Sequence, residues 1–503
     1  MTPPYDTIII GTGAGGATLA YALAPTGKRI LLLEKGDHIP KEKANWDTKA
    51  LYQEGRYRVE ESWLDRQDRP FRPNLYHRVG GSTKVYGAAL LRMRERDFDV
   101  VNHLGGVSPA WPLSYAELEP YYAEAEALYM VHGNRGEDPC EPAASGDFPY
   151  QALPHEPRIR AVAEQLSQQG LKPFALPMGI NRNVTNPAHG PCIRCSTCDG
   201  FPCLLDAKAD AQTCGVDKAL KYDNVTLLTN AQVERLVPTT DGTRIDHVEA
   251  VVDGQRQQYR AETVVVSCGA INSAVLLLKS ACDSHPNGLA NSSGQVGRNF
   301  MKHVVSKVFA IAPTPNPTVF QKTLAINDFY FESEAAAFPL GHVHLMGKHS
   351  SQTIRPDLPD WLPQPLLDIV TERSVDWWMQ TEDLPDPDNR ITVTPAGQIK
   401  VSYTPNNETA HRHFKKIFKE KLQAAGFPIV FDVPIPLKVL NHQLGTCRFG
   451  TDPKTSVLDI NCRTHDVDNL YVVDSSFFPS STAMNPTLTI VANALRVARH
   501  FKQ

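Results

Sequence analysis

Short apolar blocks punctuate the chain, and their lengths sort them into elements. Ile8-Ile9-Ile10 and the run ILLL at residues 30–33 are too short for helices and have no polar face. Such runs read as strands buried on both sides, as in a parallel sheet. The runs VVV at 264–266 and LYVV at 470–473 are of the same kind. Residues 301–440 differ, being rich in aromatics and prolines and carrying alternating runs such as RITVT and IKVSY. Period-two alternation suits an antiparallel sheet, here forming a second domain. Residues 110–133 predict a capped helix beginning near Ser114, with Tyr115, Tyr121 and Tyr122 as a packing stripe. Near the end, Asn485 suits a helix N-cap and Pro486 the first helical position, followed by an apolar run through Leu495 and Ala498.

A length of 503 residues suggests about two to four domains. The net charge of −4, with both signs interspersed, gives no basis for nucleic-acid binding or a polybasic membrane patch. No run reaches the roughly 18 apolar residues of a membrane-spanning helix. The first strand begins at Tyr5, which leaves no room for a secretory leader and predicts a cytoplasmic protein. Its ten cysteines are then expected to be mostly free thiols or ligands.

Chemistry enters with the glycines. Gly11, Gly13 and Gly16 form G-x-G-x-x-G between the first strand and a helix. The first glycine permits a tight turn, the second lets backbone approach a pyrophosphate, and the third lets the helix pack on the sheet. Glu34, at the end of the next strand, can accept both ribose hydroxyls. It disfavours a 2′-phosphate and suits NAD or FAD alike. A second station, Gly80-Gly81-Ser82-Thr83, suits backbone lying against a flat, hydrogen-bonding ring, and a third follows the VVV strand at Gly269-Ala270. Taken alone, Asn485 reads as a helix cap and His442 as a structural histidine.

In this order the segments resemble the glucose–methanol–choline (GMC) oxidoreductases, in particular their pyranose-oxidase-like branch. The resemblance rests on VGGSTKVYGA, GAINSAVLLLKSA, VGRNFMKH, DLPDPDNRITV and the closing HQLGT and NPTLT motifs. It implies an α/β fold, a Rossmann-type FAD-binding domain with a second substrate domain built on an antiparallel sheet. The FAD domain would comprise residues 1–150, 215–300 and 440–503. Residues 151–214 would be a cap insertion with the cysteine-rich loop, and 301–439 the substrate domain. The resemblance further implies FAD against Gly81, Ser82, Thr83 and Asp474, with the Val233 backbone at the adenine and Pro486 and Thr487 at the flavin end. Val85 stands where some members carry a flavin-linking histidine, so the FAD is expected to be non-covalent. His442 and Asn485 would be the catalytic pair. Together they would remove the hydroxyl proton while a hydride leaves carbon for flavin N5. An imidazole, with its pKa near ~6.5, is suited to that task.

The expected substrate is a carbohydrate or glycoside, oxidised at a ring secondary hydroxyl, C2 or C3, with O2 or a quinone-type acceptor receiving the electrons. A non-sugar alcohol, or a flavin-containing hydroxynitrile lyase, is the alternative. The pair Trp377-Trp378 could wall a sugar site or sit in a core. Cys192, Cys195, Cys198 and Cys203 give C-x2-C-x2-C-x4-C. An iron–sulfur cluster, zinc, or a structural loop of buried thiols with or without a local disulfide are the readings, and the last is preferred, with no metal.

Overall fold

The computed structural model describes residues 5–185, 190–359 and 361–502. The buried apolar runs assemble as expected into one sheet in which every pairing is parallel. Its spatial order is Val225–Leu228, Ile30–Leu33, Tyr5–Ile10, Ala261–Val266, Leu470–Val472. The helices Ala14–Leu23 and Thr487–Phe501 pack on each other at one face. The helix Tyr115–Leu128 lies against Thr487–Phe501 and starts with a Ser114/Glu117 capping box. Its tyrosine stripe packs as predicted, Tyr122 bonding the Thr489 hydroxyl at 2.8 Å.

A six-stranded, wholly antiparallel sheet forms a second layer system. Its order is Ile429–Pro434, Val304–Ile311, Ser374–Thr381, His342–Leu345, Leu324–Ile326, Phe174–Ala175. The helix Glu408–Ala424 covers one face with buried Phe414 and Phe418. Alternation along Ser374–Thr381 splits the tryptophan pair. Trp377 is sealed in the core, its ring 5.2 Å from that of Phe418, whereas Trp378 points to the other face and lines a cavity.

Two local expectations are corrected. The alternating runs do form a hairpin, Arg390–Val393 with Ile399–Ser402, but it does not join the large sheet. It pairs instead with Trp63–Leu64, because its apolar face (Ile391, Ile399, Val401) belongs to a cluster with Trp63, Ile271 and Val275 on the nucleotide side. The last helix begins at Thr487 with Pro486 as its N-cap residue, one position later than predicted. Asn485 makes no cap bond because its side chain is engaged elsewhere. No helix among the described residues is long and apolar enough to cross a membrane.

Trp377→Ala should lower stability by about 3–5 kcal/mol, the range for emptying a buried aromatic site. Trp378→Ala should cost markedly less. Chemical denaturation followed by circular dichroism checks both.

Candidate active site

Two adjoining cavities lie between the parallel sheet and the antiparallel one, and Ser82, Thr83, Tyr76, Asn441 and Thr487 line both. The larger, of about 970 Å3, is lined by Gly11, Gly13, Glu34, Gly81, Ser82, Thr83, Val233, Asp474, Pro486 and Thr487. Every cofactor residue expected from the sequence is in that lining except Gly16. A Cβ on Gly16 would stand 2.2 Å from the Gly11 carbonyl oxygen, so its absence lets helix and turn touch, as its place in the motif predicts. A Cβ on Gly13 would meet no atom within 4 Å. That bare backbone at a helix N-terminus is a cradle a phosphate can fill.

Polar bonds tie the glycine stations together. Gly80 N–H donates to Thr12 Oγ1 at 3.1 Å, and that hydroxyl donates to Glu34 Oε2 at 2.6 Å. Thr12 N–H and Gly36 N–H also donate to the Glu34 carboxylate. Burial raises the pKa of Glu34 against these bonds. Asp474 does the same for the third station. Its carboxylate accepts from Gly269 N–H at 2.9 Å and from Ser273 and Ser476. Burial raises its pKa too. A long cavity with a bare glycine turn at one end and carboxylates along it fits an adenine dinucleotide such as FAD.

The smaller cavity, of about 260 Å3, holds His442 and Asn485 together. Hydrogen-bond chemistry fixes how each faces it. His303 Nε2 lies 3.1 Å from the Ser481 carbonyl oxygen, which can only accept, so Nε2 carries the proton. His303 Nδ1 is then an acceptor, and His442 Nδ1, 2.9 Å away, must donate to it. The lone pair of His442 is thereby left on Nε2, which no described residue occupies. Burial, then the neighbouring His303 and His344, hold the His442 pKa well below the ordinary imidazole value. His303 is pushed down to about 4, chiefly by burial. Both rings are therefore neutral at pH 7, as this pattern requires.

Asn485 is oriented by a parallel argument. Trp378 Nε1–H can only donate, and Gln380 Oε1 accepts it at 2.8 Å. The Gln380 amide nitrogen must then face away, and it donates to Ala483 O at 2.7 Å and to Asn485 Oδ1 at 3.2 Å. Asn485 Nδ2 is left without a partner among the described residues. The cavity that His442 lines therefore holds a base and a free donor, the kinds of group a substrate hydroxyl needs. Neither His303 nor Gln380 was singled out from the sequence. The only signal was the position of His303 at the end of VGRNFMKH.

The cysteine motif lies in a loop beside the smaller cavity. All ten cysteines are free thiols. Cys192, Cys195, Cys198 and Cys203 border a void of about 20 Å3 with Lys208 and Phe320. No group of three or more His, Cys, Asp or Glu side chains among the described residues could hold a metal ion. The loop instead delivers Asp199, Gly200 and Phe201 to the smaller cavity. Asp199 accepts from Lys322 Nζ at 2.9 Å and from Gly347 N–H at 3.1 Å. Burial would raise its pKa, but the Lys322 ammonium overrides this and holds the carboxyl below its ordinary value.

Two family models match the chain. The GMC oxidoreductase N-terminal model matches residues 5–305, and the C-terminal model of the same family matches 389–494. The chain is 30% identical to paromamine 6'-oxidase of Streptomyces fradiae, over 98% of this chain and 91% of that protein. It is 27% identical to the fructose dehydrogenase large subunit of Gluconobacter japonicus, over 98% and 97%. Among solved structures, pyridoxine 4-oxidase from Mesorbium loti superposes with a TM-score of 0.69 over 99% of both chains at 19% identity, a shared fold.

Gly13→Val should fill the phosphate cradle. The purified variant is expected to keep its circular dichroism spectrum while losing the flavin absorbance bands.

Proposed function

The chain belongs to the GMC oxidoreductase family and is an oxidoreductase acting on CH–OH groups; from that premise we propose that it oxidises a ring secondary hydroxyl, C2 or C3, of a sugar or glycoside. The family's members are flavoproteins, generally FAD-dependent. FAD bound in the larger cavity supplies the acceptor for the hydride leaving the carbon.

The observation that carries the reading is that one cavity is lined by both an unoccupied histidine lone pair and an unpaired amide N–H. The substrate hydroxyl donates its hydrogen bond to His442 Nε2, and that nitrogen takes the proton as the C–H bond breaks. Asn485 Nδ2–H bonds the same oxygen and stabilises the charge developing on it, an effect worth roughly 3 kcal/mol per donor in such sites. As His442 becomes an imidazolium, its Nδ1–H stays on His303, so the ring need not turn. Ser82 and Thr83, shared by both cavities, set the substrate against the cofactor. For a sugar, the wall offers the Trp378 ring, 6.0 Å from that of His442, and the Asp199 carboxylate for further hydroxyls. Relatives named for paromamine and fructose support a carbohydrate. A relative named for 2-methyl-1,2-propanediol, 28% identical, favours a small non-sugar alcohol as the second reading.

Val85, in the wall of the smaller cavity, has no atom able to bond a flavin, which supports a non-covalently held cofactor. Acid precipitation should release all flavin into the supernatant; yellow protein in the pellet would overturn this.

Anaerobic bleaching of the flavin by a panel of sugars, glycosides and simple alcohols tests the substrate class, and product analysis the position oxidised. His442→Ala should slow bleaching at least about a hundredfold with flavin still bound. Near-normal bleaching in that variant removes His442 from the reaction. His442 is a base only when neutral and its pKa is depressed, so the wild-type rate should stay flat as pH falls from 8 through about 6.5 and decline only below that.

A further inference from the structure

The smaller cavity is unbalanced in charge. Arg58, Arg72, Lys307, Lys348 and Lys438 line it against a single carboxylate, Asp199, which is already paired with Lys322. Two of the five cations are accounted for. Lys348 Nζ donates to the Asn316 and Glu372 carbonyls, and Lys307 has a partner of its own. The other three form no ion pair among the described residues.

Arg58 is the most telling of them. It is half-buried, yet none of its side-chain N–H groups meets a described acceptor, and its Nε is sealed from solvent. A guanidinium in that state lacks part of its hydration and all of its counter-charge, which is costly unless a ligand supplies the anion. Arg72 stands beside it. Arg72 Nη1 and Arg58 Cδ lie 3.4 and 3.5 Å from one point, the place a Cβ on Gly55 would take. Arg72 is pinned by peptide carbonyls, its Nε on Val59 O at 2.7 Å and its Nη2 on Arg58 O at 3.3 Å, so its remaining Nη1 edge is unused. Lys438 joins from the segment leading to His442, its carbonyl accepting from Asn74 N–H at 2.7 Å. Nearby acids do not answer this charge. Glu42 pairs with Arg56, Glu54 with Lys49 and Glu61 with Lys35, while Glu60 is exposed outside the cavity.

We propose that Arg58 and Arg72, with Lys438, form an oxyanion-binding subsite in the substrate cavity, and that the substrate is a carbohydrate carrying a carboxylate or phosphate group. The unused Nη1 group of Arg72 lies near the side-chain stem of Arg58, and a guanidinium offers paired N–H donors that match the oxygens of such a group. The cavity of about 260 Å3 is below the roughly 300–1,000 Å3 of drug-sized pockets, so the anion belongs to a small substrate. This inference rests on the carbohydrate reading for its substrate, but the subsite itself can be tested without it.

The holoenzyme is mixed anaerobically with methyl β-glucoside, methyl β-glucuronide, glucose, glucose 6-phosphate and glucosamine, and flavin bleaching is followed at low and high salt. At least one anionic sugar is expected to exceed its neutral counterpart tenfold or more in bleaching efficiency, with the advantage shrinking as salt rises. The glucuronide and phosphate arms separate carboxylate from phosphate. In Arg58→Gln, checked for full flavin content, the anionic-to-neutral efficiency ratio should fall at least tenfold. Equal efficiency of neutral and anionic sugars, or a ratio unchanged in Arg58→Gln, overturns the proposal. If simple alcohols alone bleach the flavin, the carbohydrate reading fails. Calorimetric titration of the holoenzyme with inorganic phosphate and with acetate then decides the subsite, which requires binding by wild type and its loss in Arg58→Gln.

Discussion

A peptide carbonyl can accept a hydrogen bond and cannot give one, and at Ser481 that restriction fixes which nitrogens of His303 and His442 carry protons. His303 must present a proton to it, which leaves His303 able only to accept from His442, which leaves the His442 lone pair on the cavity side. The indole of Trp378, which can only donate, does the equivalent for Asn485 through Gln380. Both relays begin at groups that do not titrate near neutral pH. The arrangement is therefore built into the fold and needs no particular solution condition to appear.

The segment carrying Ser481 is itself unusual. Residues 472–484 are buried throughout, although little of this stretch is helix or strand. Its peptide groups are satisfied by side chains of the antiparallel layer: Thr482 N–H on Glu382, Ala483 N–H on the Tyr330 hydroxyl, and the Ala483 carbonyl on Gln380. Ser481 Oγ bridges to both backbone groups of Asp383. Thr482 adopts a left-handed φ of 50°, a strained setting for a β-branched residue that this bonding enforces. The parallel sheet and the antiparallel layer are thus joined next to the cavity that His442 and Asn485 line.

Much of this could be read from residue order. Gly11, Gly13, Glu34, Gly81, Asp474, His442 and Asn485 sit in local contexts whose chemistry is written in their neighbours, and they line two touching cavities. What escaped depended on partners far away in sequence. His303 meets His442 across 139 positions and Gln380 meets Asn485 across 105, and no spacing rule reports such encounters. Alternation announced the Arg390–Ser402 hairpin but not which sheet it would join. Asn485 had the right type for a cap, and Gln380 won its side chain instead. The four cysteines drew the eye to themselves, while the residues that reach the cavity, Asp199 to Phe201, lay between them.

The order of strands also bears on how the protein is made. Within the parallel sheet Leu470–Val472 is an edge strand, paired to Ala261–Val266, which precedes it by roughly 200 residues. While the ribosome translates that interval, at about 5–20 residues per second, the edge of Ala261–Val266 stands unpaired for some ten to forty seconds. Such an edge is open to pairing with another nascent chain. Gly269 and Ser273 likewise wait for Asp474. The third glycine station is therefore complete only once the last tenth of the chain has been made.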